Sequence, residues 1–158
     1  MDVAAVFDDA VTRELLERAD LARVAYTAAD GSPRVVPVAY LVRDTKIILW
    51  TVPSSAKVAA LRHDPRVALT IDVGGTPPCC LLVRGTAEVE IVDGVPDGYL
   101  EACRRTVDPA AWTEFEAGVR HLYDQMACIT VVATWAKLLD FQRAAPEAVE
   151  RLARTKSS

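Results

Sequence analysis

Apolar residues along this chain recur mostly at every second position, and in only a few stretches with the wider spacing of a helix. Between Asp8 and Ala19, Val11, Leu15 and Leu16 fall at helical spacing while Thr12 and Glu14 face elsewhere, which predicts a short amphipathic helix packed on a sheet. Ala22 to Ala28 reads as a strand, and Ala29-Asp30-Gly31-Ser32 as its turn. Pro33 to Val42 follows as a strand apolar on both faces, with Val35, Pro37, Ala39 and Leu41 alternating with Val36, Val38, Tyr40 and Val42. Such a strand is expected to be buried on both sides. A barrel wall backed by a partner subunit, or by a ligand, would supply that burial.

Arg43 to Thr45 makes a second turn, leading into the strand Lys46 to Thr51. Pro53 ends it, and Ser54 or Ser55 is placed to cap a helix that runs to about His63, just before Pro65. Arg66 to Val73 alternates again as a strand, and Gly74 to Pro78 is a loop. Cys79 to Val92 reads as one long strand with a bulge at Gly85, Glu88 and Glu90 pointing out and Ala87, Val89 and Ile91 pointing in. Tyr99 to Met126 is expected to be helical with a break at Asp108-Pro109, Cys128 to Leu139 to be the last long strand, and Pro146 to Arg154 a tail helix. Short strands with one inserted helix and one helical excursion indicate a mainly β fold: a closed or partly open antiparallel barrel with flanking helices. The expected organisation is one domain over residues 1–158, with an N-terminal helix at 8–19, a barrel over 20–141 with its helical insertion near 96–126, and a tail at 142–158. A Rossmann unit is disfavoured, since no GxGxxG follows a strand and the βαβ rhythm is missing.

Composition narrows the function classes. A net charge of −4 argues against a general nucleic-acid surface. No apolar run approaches the roughly 20 residues that span a bilayer, and the acidic start lacks the order of a signal peptide, so a cytoplasmic protein is expected. Four cysteines without metal-ligand spacing give no zinc site. The chain has no asparagine, and its 14 arginines against 4 lysines, with abundant alanine and valine, suggest a GC-rich bacterial genome.

Lys57 is the sharpest chemical signal. It falls in the first turn of the predicted helix, where the dipole disfavours a cation. A phosphate held by Lys57, Ser54, Ser55, the strand-end Thr51 and the backbone N–H groups of Ala56 and Lys57 would account for it. Pro37 is the second oddity, because proline inside a strand removes a ladder hydrogen bond. Either the strand is an edge, or backbone groups around Val36 to Val38 face a planar heterocycle. Trp50, Trp112 and Trp135 read as core or interface aromatics, Trp50 being of interest because it precedes Thr51. Arg62 and His63 suit a helix C-terminus, and His121 a surface. Cys79 and Cys80 read as buried thiols on opposite strand faces. No catalytic side-chain set and no metal site is expected.

The early DG turn with PRVVPVAY, the KIILWT strand, SSAKVAALRHDPRVAL, VRGTAEV and the closing CITVVATWAKLLDF occur in an order that resembles the FMN-binding split-barrel proteins, the pyridoxamine 5'-phosphate oxidase-like group of flavin and deazaflavin oxidoreductases. The resemblance implies a six-stranded antiparallel split β-barrel and a homodimer with two cofactors at the subunit interface. It places Val36, Pro37 and Val38 along the isoalloxazine, Trp50 and Thr51 on the adjacent strand, and Ser55, Ala56 and Lys57 at the phosphate. Pro78 to Cys80, with Cys79 and Cys80, would approach the cofactor from the partner chain. Three features depart from the family's pattern. Ser55 stands where a basic residue is frequent, Cys79 and Cys80 where aromatics are frequent, and the basic C-terminal segment of true pyridoxamine phosphate oxidases has no counterpart. The implied activity is hydride transfer between bound FMN and a small organic substrate. FMN is preferred to the deazaflavin coenzyme, whose anionic tail needs a basic groove that Ser54-Ser55 do not offer. The rivals are a non-catalytic binder of flavin, deazaflavin or haem, and a dimer whose site is empty.

Overall fold

The computed structural model describes residues 2–157; positions 1 and 158, the ends of the expected domain, lie outside the described residues. Its strands are β1 (Ala22–Thr27), β2 (Pro33–Val38), β3 (Tyr40–Arg43), β4 (Lys46–Thr51), β5 (Arg66–Val73), β6 (Cys79–Asp93) and β7 (Gln125–Asp140). The helices are α1 (Val3–Asp8), α2 (Ala10–Arg18), α3 (Ala56–His63), α4 (Asp97–Cys103), α5 (Trp112–Leu122) and α6 (Glu147–Lys156). All strand pairs are antiparallel, in one seven-stranded sheet of order β2-β1-β5-β6-β7-β4-β3.

The two edge strands of that order, β2 and β3, are consecutive in the chain and separated only by Ala39. The sheet therefore curls until its edges meet at one corner and diverge beyond it, a mainly β split barrel with flanking helices. The continuous strand expected over Pro33 to Val42 is thus two strands, because its halves pair with different partners, β1 and β4. This division also gives the sheet its seventh strand. Burial on both sides is not met within one subunit: Val35 is 66% exposed, and Pro37 is exposed beside it.

Inward-facing residues of the strands build the barrel interior, among them Val24, Ile47, Leu49, Leu69, Ile71, Leu81, Val83, Ile129 and Val131. Tyr40 at the corner is fully buried there. Its hydroxyl lies 3.1 Å from the carbonyl oxygens of both Leu16 and Ala19, and Arg105 Nη1 donates to the same two oxygens at 3.0 and 3.2 Å. The otherwise orphaned carbonyls at the end of α2 are satisfied in this way. The expected helix over Asp8 to Ala19 is interrupted at Asp9, whose carboxylate accepts from Val11 and Thr12 N–H and so starts α2 afresh. Thr12 is a correction: it is fully buried rather than turned to solvent, since positions 12, 15 and 16 share one helical face.

The pairing of β6 with β7 spans both halves of the barrel, and its register shifts between Arg84 and Gly85. Arg84 lies opposite Trp135 while Gly85 lies opposite Ala133, so Thr134 is the extra residue. A side chain at position 85 would place its Cβ 2.2 Å from the Val132 carbonyl oxygen. Glycine here is a steric requirement of the bulge that bends the sheet. The helical excursion is shorter than expected: α4, a 3-10 turn at Pro109–Ala111 and α5, after which β7 already begins at Gln125 instead of Cys128. Gly98 of α4 lies against the Trp50 indole, where a Cβ would come within 2.7 Å of the ring. No helix of the described residues is long and apolar enough to cross a membrane.

Two stability outcomes follow. Gly85→Ala should cost about 3 kcal/mol, the upper range for overpacking, because the backbone of Val132 cannot step aside, and urea denaturation would measure it. Thr12→Val should raise stability by about 1 kcal/mol, because the buried Thr12 hydroxyl has no hydrogen-bond partner among the described residues; an unchanged or lowered midpoint would show that the hydroxyl is satisfied in solution.

Candidate functional site

The helix carrying Lys57 begins where Pro53 ends β4 and Ser55 takes an extended conformation. Ser55 is the N-cap, its Oγ accepting from Lys57 N–H at 3.3 Å, which resolves the choice between Ser54 and Ser55. The Ser55 hydroxyl proton remains available to an outside acceptor. The Lys57 N–H, expected to be free for a phosphate, is engaged by this cap. The Ala56 N–H makes no hydrogen bond within the described residues. Val58 and Leu61 are buried and seat α3, which packs against β1 and β6.

The Lys57 side chain is half-buried, and desolvation pushes its pKa down. No carboxylate within the described residues forms an ion pair with it. The surface arginines behave otherwise: Arg18, Arg23, Arg43, Arg66, Arg120 and Arg143 all pair with acids. Desolvating a cation beside the positive end of a helix dipole without a counter-charge is unfavourable on both counts. An anion at this place relieves both.

β2 pairs with β1 alone and leaves its other edge open. Ala28 N–H donates to Ser32 O at 2.9 Å, and the register carries that pairing to Tyr26–Arg34, Val24–Val36 and Ala22–Val38. Backbone groups of Val36 and Val38 thus turn toward β1, whereas the Val35 amide and the carbonyls of Val35 and Pro37 turn to the open edge. Pro37, which has no N–H to donate, occupies a position where none is used. The side chain of Val38 packs inward against the core, while Val35 and Pro37 are on the outer face. Arg23 lies directly opposite Pro37 and forms an ion pair with Asp72 of β5. These two charged residues were not singled out in the sequence; only the register of three strands puts them beside Pro37.

The other candidates separate. Thr51 ends β4 opposite Ala127, and Trp50 precedes it with its ring beneath α4, packed with Leu41, Ala102 and Met126. Trp50 and Thr51 therefore face opposite sides of the sheet. Cys79 and Cys80 pair with Asp140 and Leu139 at the far end of β7. Twelve residues of strand between Ala127 and Leu139 amount to about 40 Å, so one subunit does not bring the cysteines to Lys57. Burial raises both thiol pKa values, with Asp140 adding to the effect at Cys79, so the thiols stay protonated and weakly nucleophilic. Cavities of about 530 and 410 Å³ lie against α1 and α2, and neither is lined by any of these candidates.

The sequence profile of the family described as pyridoxamine 5'-phosphate oxidase matches residues 8–137. Among solved structures, a conserved hypothetical protein from Mycobacterium tuberculosis superimposes with a TM-score of 0.62 at 21% identity, covering 85% of this chain and 88% of that one. An F420 reductase does so with a TM-score of 0.59 at 24% identity, covering 79% of this chain and 94% of the other. A heme binding protein from Mycobacterium smegmatis gives 0.57 at 16% identity, over 88% of this chain and 54% of its own. Likeness at these identities establishes the fold alone. No curated protein matches the sequence.

The lysine makes a pH-dependent prediction. With its folded pKa below the unfolded one, the unfolded chain binds more protons between the two values, so ligand-free stability rises with pH across that window. Lys57→Met should stabilise the ligand-free protein at neutral pH and flatten this rise. Urea denaturation at pH 7 and pH 10 is the check, and parallel pH profiles for parent and variant would mean that the lysine is fully solvated.

Proposed function

The chain belongs to the pyridoxamine 5'-phosphate oxidase family, and on that premise we propose that it is a homodimeric, FMN-dependent oxidoreductase acting on a small organic substrate. The observation that carries the reading is Lys57: a half-buried cation without an acidic partner among the described residues, one residue inside a helix capped by Ser55. A bound flavin supplies the hydride chemistry itself. This chain's residues do the rest. The Lys57 ammonium, the Ser55 hydroxyl and the Ala56 amide hold the phosphate by charge-assisted hydrogen bonds. The open edge of β2 offers the Val35 amide and the carbonyls of Val35 and Pro37 to the polar rim of the ring, and Val36 and Val38 fix that edge against β1. Thr51 closes the strand end nearest the helix. Cys79 and Cys80 come from the second subunit and exclude water as neutral, weakly polar thiols.

A second reading has its own support: similarity to a solved F420 reductase favours the deazaflavin coenzyme in the same place. Both cofactors present a phosphate and a tricyclic ring, so the site residues are shared and the absorption spectrum of the purified protein separates them. A haem spectrum would instead favour a binding protein.

Lys57→Ala should weaken FMN binding by about 1.5–3 kcal/mol, the range for a hydrogen bond to a charged group; fluorescence titration reads this, and equal affinities would remove Lys57 from the site. For activity, the bound flavin reduced anaerobically with dithionite should be reoxidised faster by an acceptor from a broad panel than by buffer. No acceleration with any acceptor would leave a binding protein in place of an enzyme.

A further inference from the structure

A cleft of about 410 Å³ opens between α1, α2 and the turn that joins β3 to β4, and the flavin reading makes no use of it. Its volume falls within the range of small-molecule sites. Phe7 of α1, Leu16 of α2 and Val42 of β3 give it an apolar wall, and the first two are buried. Arg105, half-buried just after α4, lines it as well. Only Nη1 of that guanidinium is engaged, donating to the carbonyls of Leu16 and Ala19, and the group lies 5.1 Å from the centre of the Tyr40 ring. A guanidinium carries five N–H donors, so those on Nε and Nη2 have no partner among the described residues. No carboxylate among them forms an ion pair with Arg105 either.

The other charges that line the cleft do not pair across it. Arg13 and Glu17 are four residues apart on α2 in the order that pairs poorly, and neither forms an ion pair among the described residues. Glu14 and Arg18, on the same helix in the opposite order, do so at 3.3 Å. Asp8 of α1 and Asp44 of the turn are exposed and equally without an ion pair there. Arg43 already has Glu101 at 2.8 Å. The cleft therefore offers the guanidinium groups of Arg13 and Arg105 and the carboxylates of Asp8, Glu17 and Asp44, all uncommitted, around one apolar wall. A plain anion would meet the carboxylates and a plain cation the guanidinium groups. A molecule that carries both charges on an apolar body gives each set its opposite and removes the wall from water.

We propose that this cleft is a binding site for a small apolar amino acid in its zwitterionic form, separate from and independent of the flavin site proposed above. The ligand's carboxylate takes the free donors of Arg105, and Arg13 adds a second positive charge. Its ammonium is met by the carboxylates of Asp8, Glu17 and Asp44, and its side chain rests on Phe7, Leu16 and Val42. The two α2 carbonyls and the Tyr40 ring hold the Arg105 guanidinium in place before any ligand arrives. Little side-chain freedom is then lost there on binding.

Isothermal titration of the full chain tests it with L-leucine, with 4-methylpentanoate (leucine without its ammonium) and with 3-methylbutylamine (leucine without its carboxylate). L-leucine should bind saturably, and each half-molecule about tenfold more weakly or worse. Glu17→Gln/Asp44→Asn should weaken L-leucine by a similar factor without weakening 4-methylpentanoate. Asparagine suits position 44, whose φ of 55° lies in the left-handed region. Arg105→Gln should abolish L-leucine binding. Because that change also removes the bonds to α2, the exposed Arg13→Gln is the companion variant, expected to bind L-leucine more weakly at an unaltered melting temperature. Absence of saturable L-leucine binding to the folded parent chain would overturn the proposal. Equal affinity for 4-methylpentanoate would overturn it too, making the cleft a site for anions alone. L-leucine bound equally by the parent, Arg13→Gln and Glu17→Gln/Asp44→Asn would put the binding elsewhere on the molecule and overturn it as well.

Discussion

The structure hangs on the antiparallel pairing of β6 and β7, and within it on the contact of Gly85 with Val132. These are the longest strands, at 15 and 16 residues, and the sheet order places them at its centre. One stretch of β7 carries β4, which in turn carries β3, while β6 carries β5, β1 and β2. A sheet that must return its two edges to a single residue, Ala39, has to bend sharply somewhere along this spine. The missing Cβ at position 85 and the extra residue Thr134 allow that bend. With a one-residue slip, every inward side chain beyond the bulge would turn outward, and neither β2 nor α3 would come to the place it occupies.

That geometry explains why the candidate site is built from backbone and one lysine instead of a set of reactive side chains. β2 is an edge because the barrel is split, and its open edge holds groups that would otherwise be spent on a neighbouring strand. α3 follows β4 after a turn ended by Pro53, so its N-terminus and Lys57 are held by the buried Val58 and Leu61. The protein tolerates a desolvated cation there. On the proposed reading this site binds and orients the cofactor, which supplies the reactivity.

Much of this was readable in the sequence because it depends on local rules. Strand alternation located β1, β4, β5 and β6, the isolated glycine in an alternating run located the bulge, and the serine–proline punctuation located α3 and narrowed its cap to Ser54 or Ser55. What escaped depends on three-dimensional pairing. Pro33 to Val42 alternates without interruption, yet no local signal says that its halves pair with strands at opposite ends of the sheet. Thr12 was assigned outward from its polarity, although its spacing from Leu15 and Leu16 puts it inward; there the helical period outweighed the side chain's chemistry. Arg23 and Asp72 are 49 residues apart, and their meeting opposite Pro37 follows only from the register of three strands. The capped Lys57 amide could not be foreseen either, since Ser54 and Ser55 are equivalent until the backbone chooses one.

The exposed apolar side chains bear on the proposed homodimer. Within the described residues, the exposed large hydrophobics are Val35, Leu122, Phe141, Val149 and Leu152. Val35 stands on the strand whose open edge is the proposed ring site, Leu122 ends α5, and the other three lie in or before α6. Cys79 and Cys80 are remote from Lys57 in one subunit yet sit beside the root of the same C-terminal segment, with Phe141 N–H donating to Pro78 O at 3.2 Å. On the proposed reading, a single subunit holds the two parts of the site at separate ends of the sheet. In the proposed homodimer, apposing two copies would join these two parts, and binding of the cofactor and association of the subunits would be linked equilibria.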